Sequence, residues 1–90
     1  MRAVSPKRAK QLRVYSQVRR DFLEAHQRCE YPRGCYEPAT EIQHRRGRRG
    51  ARLLDTNWWA ASCHFHNMLA EEDTGDALDC GWLVRVEGVA

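Results

Sequence analysis

Two pairs of metal-competent side chains, Cys29-x5-Cys35 and Cys63-x2-His66, restrict this chain more than any other feature. Zinc takes four sulfur or nitrogen donors in a tetrahedron, commonly two from a short turn and two from a second segment. The first pair is slightly wide, and the second has standard spacing at a place where a helix can begin. With 90 residues, the chain is limited to one domain. A chain this short buries only about 60–65 % of the surface its unfolded form exposes, so a metal here has a structural purpose. Two other states of the thiols fit the same pattern, free buried cysteines or a disulfide. His64 is an alternative fourth ligand, but adjacent residues rarely aim at one ion. His66, one helical turn past Cys63, is the expected ligand, and Cys80 reads as a core thiol.

Charge is distributed unevenly. Residues 1–52 hold 14 Lys and Arg against five acids, and residues 53–90 hold one Arg against seven acids. A basic half points to a polyanionic partner, most simply nucleic acid. Five arginines, Arg45, Arg46, Arg48, Arg49 and Arg52, concentrate that charge in one glycine-containing stretch and are the candidate DNA contacts. They suit phosphates rather than bases, which predicts affinity with steep salt dependence. No apolar run approaches the roughly 18 residues that span a bilayer. The basic N-terminus lacks an apolar segment behind it, so a cytoplasmic protein without a membrane partner is expected.

Ser5-Pro6 is a helix start, with Ser as N-cap and Pro at the first helical position. Leu12, Tyr15, Val18, Phe22 and Ala25 recur at three- and four-residue steps, one apolar stripe on a helix ending near His26. Residues 29–40 hold two prolines, a glycine and two cysteines and read as a tight turn. Thr40 to His44 alternates as a short strand, Arg45 to Arg52 reads as a flexible loop, and Asp55 to Asn57 as a turn. A returning strand is expected over 58–61, with one of Trp58 and Trp59 in the core and the other exposed. A second helix runs from Cys63 to about Glu72. Thr74-Gly75-Asp76 is expected to break it, followed by one helical turn over 77–80 and a terminal strand over 82–86. The fold class is α+β.

The order of these pieces resembles the small HNH endonucleases of bacteriophages and their hosts. Cys29 and Cys35 match the family's first cysteine pair, Ile42-Gln43-His44 its strand-end doublet, and Leu54-Asp55-Thr56-Asn57-Trp58 its asparagine segment. Cys63-His64-Phe65-His66-Asn67 matches the final helix opening, and Ala77 to Val84 resembles the A-x-x-x-G-W-L-V ending of many phage members. Four pieces in order make the signal fairly specific, and it covers roughly Tyr15 to Val84. The resemblance implies a zinc-stabilised ββα-metal motif with an added N-terminal helix. A single domain over 1–90 then divides into a basic helix (1–27), the core (28–72) and an extension (73–90).

The resemblance further implies that His44 is the general base of a metal-dependent DNA endonuclease, an imidazole suited to taking a proton near neutral pH. Asn57 would orient that base by holding the hairpin loop. Gln43 and Asn67 would hold a catalytic Mg²⁺ or Mn²⁺, beside the structural Zn²⁺ of Cys29, Cys35, Cys63 and His66. The family usually has Asp or His before the base, so two neutral ligands imply low affinity for a hard cation. Glu71, Glu72 or His64 are possible auxiliary ligands. An alternative reading is a zinc-stapled DNA-binding module with a degenerate nuclease site; a third is a protein-interaction adaptor using the acidic half. The resemblance also implies action beside phage terminase and packaging proteins, in the bacterial host cell.

Overall fold

A computed structural model describes residues 5–85 of the chain. It is a small α+β fold of three helices and one two-stranded antiparallel sheet. Helix α1 (Pro6–Ala25) is followed by strand β1 (Glu41–His44), strand β2 (Trp59–Ser62), helix α2 (His64–Glu72) and helix α3 (Thr74–Asp79). Two short 3-10 turns, Gly50–Leu54 and Thr56–Trp58, lie in the β1–β2 connection, the first overlapping the end of the loop expected over 45–52 and the second falling at the turn expected over 55–57.

Helix α1 begins as its sequence requires: Ser5 Oγ accepts from the Arg8 amide at 3.1 Å, and Pro6 occupies the first turn. No residue of α1 is fully buried. Its apolar stripe is narrower than expected, because Leu12 and Ala25 face solvent. Tyr15 and Phe22 carry the packing, each edge-on to Trp59 with ring centroids 5.5 and 5.4 Å apart.

The β1–β2 register pairs Glu41 with Ser62, Ile42 with Ala61, Gln43 with Ala60 and His44 with Trp59. Strand β2 lies one residue later than expected, since Trp58 closes a 3-10 turn before the extended backbone begins. Trp59 is buried and Trp58 is half-buried beneath Arg46, whose guanidinium lies 4.8 Å from the ring centroid.

Cys63 caps α2, its sulfur accepting from the His66 amide at 3.5 Å. Residues 74–76, expected as a helix break, instead start α3. Asp73 Oδ1 accepts from the Asp76 amide at 3.1 Å, so the acid caps a new helix where the last one stops. The expected strand over 82–86 is absent from Trp82 to Arg85, and Val86 lies outside the described residues. The amides of this segment are satisfied singly: Leu83 bonds Ala77 O and Val84 bonds Arg45 O, so no ladder forms. Gly81, at φ +82°, makes the reversal that an L-residue resists.

The core is thin. Trp82 packs with Ala60, Ala70 and Ala77, flanked by Tyr31, Cys80 and Leu83. Cys80 therefore sits at the margin of the core. With Trp82 only 1 % exposed and its neighbours largely alanine, Trp82→Ala is expected to cost about 3–5 kcal/mol. Urea unfolding should read this as a large fall in midpoint, and an unchanged midpoint would contradict the packing. No described helix is long and apolar enough to cross a membrane.

Candidate functional site

The turn over 29–35 hangs from β2. The Glu30 amide bonds Ala61 O at 2.8 Å, and Glu30 Oε1 accepts from the Ala61 amide at 2.7 Å. Arg33 holds Asp76 of α3 through both carboxylate oxygens at 2.6 and 2.8 Å, tying the same turn to the C-terminal side. This places Cys29 and Cys35 against Cys63 and His66 at the start of α2, with one donor atom from each of the four within 4.8 Å of the others. Cys29 Sγ and Cys63 Sγ lie 3.7 and 3.3 Å from His66 Nδ1. A tetrahedron with Zn–S of about 2.3 Å and Zn–N of about 2.0 Å has S···N edges of about 3.6 Å, so the donor set fits structural zinc.

His66, rather than His64, completes the four. Its ring stacks on Tyr31, with centroids 3.9 Å apart and 12° between planes, and its carbonyl accepts from Trp82 Nε1 at 3.0 Å. Such outer contacts fix the orientation of a ligand ring. Burial holds the His66 imidazole below its ordinary pKa, which keeps the nitrogen lone pair available. Burial also pushes the Cys29 thiol up to about 11, a shift that a coordinated cation opposes by favouring the thiolate.

Beside this centre, α1, β1 and α2 enclose a cleft of about 430 Å³. Gln43, His44 and Asn67 all line it, so three of the residues singled out in the sequence share one cavity. The His44 ring stacks on Tyr15 at 5.7 Å and meets Trp59 edge-on at 5.4 Å. His44 Nε2 is buried with no hydrogen-bond partner among the described residues. Burial, with Arg48 adding a repulsive charge, pushes the His44 pKa down to about 4. The imidazole is therefore neutral at pH 7, with an accepting lone pair but weak basicity.

Gln43 is 4 % exposed, yet no hydrogen bond reaches its amide among the described residues. Asn67 is engaged differently: its Nδ2 donates to Glu41 Oε1 at 2.6 Å, while His64 Nδ1 meets Glu41 Oε2 at 2.5 Å. For Glu41, burial acts to raise the carboxyl pKa, and the hydrogen bonds from Asn67 and His64 outweigh it, leaving the pKa lowered. Glu41 is a cleft residue that the motif reading missed. The signal was present, because a residue two before Gln43 on a strand lies on the same face. Glu71 also lines the cleft, whereas Glu72 does not. Arg19 of α1 lines the cleft as well, with Arg48, and donates to Thr40 O at 2.8 Å.

The five loop arginines divide. Arg45 donates to Gly81 O at 3.1 Å, Arg46 lies over Trp58, and Arg52 donates to Arg46 O at 3.4 Å, so these three brace the loop. Arg48 and Arg49 are exposed, with Arg48 over the Tyr15 ring at 5.6 Å. Asn57 is exposed and outside the cleft; its backbone amide donates to Asp55 Oδ1 at 3.3 Å, and no hydrogen bond reaches its side chain among the described residues. The side chain that holds this turn is Asp55. Comparison of the chain with protein-family models, curated proteins and solved structures gave no match.

Proposed function

We propose that this chain is a zinc-stapled, metal-dependent endonuclease of the HNH type, hydrolysing phosphodiester bonds in DNA. The observation that carries the reading is one cleft lined by Gln43, His44 and Asn67 together with Glu41, Glu71, Arg19 and Arg48. Acidic and basic side chains in one cleft suit a phosphate bridged to a cation. In this reading the ββα-metal arrangement consists of β1, β2 and α2, with α1 added. His44, neutral and packed against Tyr15 and Trp59, is the general base that accepts the proton of the attacking water. Gln43 and Asn67 offer oxygen donors, and the Glu41 carboxylate supplies negative charge that those neutral amides lack. Mg²⁺ or Mn²⁺ held there would stabilise the charge that develops on the phosphate. Arg48 and Arg49 contact phosphates without reading sequence, while Arg45, Arg46 and Arg52 keep the loop in shape. Asn57 contributes through the turn it occupies. Work beside terminase and packaging proteins in a bacterial cytoplasm belongs to the same proposal.

A second reading, a DNA-binding module with an inactive nuclease site, is favoured by two observations. Both cation-facing amides are neutral, and the candidate base has its pKa lowered to about 4, which weakens proton abstraction. Supercoiled plasmid separates the two. The first reading expects nicked product with Mg²⁺ or Mn²⁺ and none without either ion. Retention of the plasmid on the protein without nicking, in every divalent ion tried, would leave the second.

A further inference from the structure

The amide of Asn67 can be presented to the cleft by either end, and only its carbonyl oxygen is useful to a hard cation. We propose that Glu41 is a positioning residue that sets the polarity of this amide, drawing its NH2 group aside and leaving its oxygen toward the cleft. The inference rests on the nuclease reading for its purpose, but the contact itself is independent of that reading.

A carboxylate is an acceptor only, so the 2.6 Å contact between Glu41 Oε1 and the Asn67 side chain selects the NH2 end. The second carboxylate oxygen is occupied by His64 Nδ1, which stops the Glu41 group from rotating away. No hydrogen bond reaches Asn67 Oδ1 among the described residues. Gln43, whose side-chain amide likewise has no hydrogen bond among the described residues, lies on the same face of β1 as Glu41 and lines the same cleft. Asn67 Oδ1 and the Gln43 amide thus share one cleft with Glu41, both without a hydrogen bond from the described residues. The position taken by His64 explains why it stays out of the zinc tetrahedron: its ring nitrogen holds Glu41 instead.

The chain has two asparagines, Asn57 and Asn67, so labelling asparagine with ¹⁵N yields two side-chain NH2 pairs, and Asn67→Asp assigns them by deletion. In the parent, one proton of the Asn67 pair should lie downfield, as expected for a bond to a carboxylate. In Glu41→Gln, whose terminal group can turn either way, that proton should move back toward the Asn57 position. Mn²⁺ affinity, read from paramagnetic broadening with zinc content checked, should fall about tenfold. Glu41→Gln/Asn67→Asp should recover the affinity, because a carboxylate at 67 offers oxygen from both ends.

An Asn67 pair unmoved by Glu41→Gln overturns the proposal. So does a double variant that stays as weak as Glu41→Gln, since Glu41 would then act as a ligand in its own right. Should the parent bind no Mn²⁺ while the Asn67 shift behaves as described, the nuclease reading fails and the amide polarity stands.

Discussion

Removing the metal from Cys29, Cys35, Cys63 and His66 is expected to unfold the chain. A structural zinc of this kind contributes about 10–16 kcal/mol in small zinc-binding peptides. That is comparable to or larger than the net stability of about 5–15 kcal/mol of a whole domain. The hydrophobic core offers little in reserve, with alanines making up much of the wall around Trp82. Two segments distant in sequence, 29–35 and 63–66, meet at the four donors, so the metal closes a loop that hydrophobic packing alone closes poorly. A chelator titration followed by far-UV circular dichroism should show loss of helix in step with zinc release, and Cys63→Ser should reproduce it. A helical spectrum that persists with zinc fully removed would refute the stapling argument.

On the nuclease reading, His44→Ala should lower plasmid nicking by about 10²–10⁴-fold, the range of a general base, without altering zinc content. Alanine also vacates the space beside Tyr15 and Trp59, which costs stability as well as chemistry. His44→Gln is therefore the stricter test, since it fills much of that space but cannot take up a proton. Parallel loss in both variants, with thermal midpoints close to the parent for His44→Gln, assigns the effect to the imidazole. If His44→Gln nicks at the parent rate, the base lies elsewhere.

The zinc quartet was readable because ligand spacing is a local property. Cys63 and His66 sit one turn apart at a helix start, and the choice of His66 over His64 followed from the direction in which adjacent side chains point. Helix α1 was equally readable at its start, where Ser5 and Pro6 act through backbone chemistry alone. What escaped depended on partners distant in sequence. Glu41 looks like any surface acid until α2 brings Asn67 and His64 against it. The arginines between 45 and 52 looked equivalent, and only the packing of Trp58 and the return of Gly81 separate braces from free charges. Residues 82–85 carry β-forming side chains, yet they join neither strand of the sheet. Their amides go to α3 and to Arg45. Asp73 was a missed local signal, an acid placed three residues before Asp76 that caps α3 at the point read as a break.

The return segment after Gly81 touches both ends of the molecule's chemistry. Trp82 grips the carbonyl of His66, while Gly81 and Val84 hold the side chain and backbone of Arg45, the neighbour of His44. Residues 81–84 thereby bond both to His66 of the Cys3His group and to Arg45 next to His44. One short segment therefore braces the first turn of α2 and the residue that follows β1 at the same time.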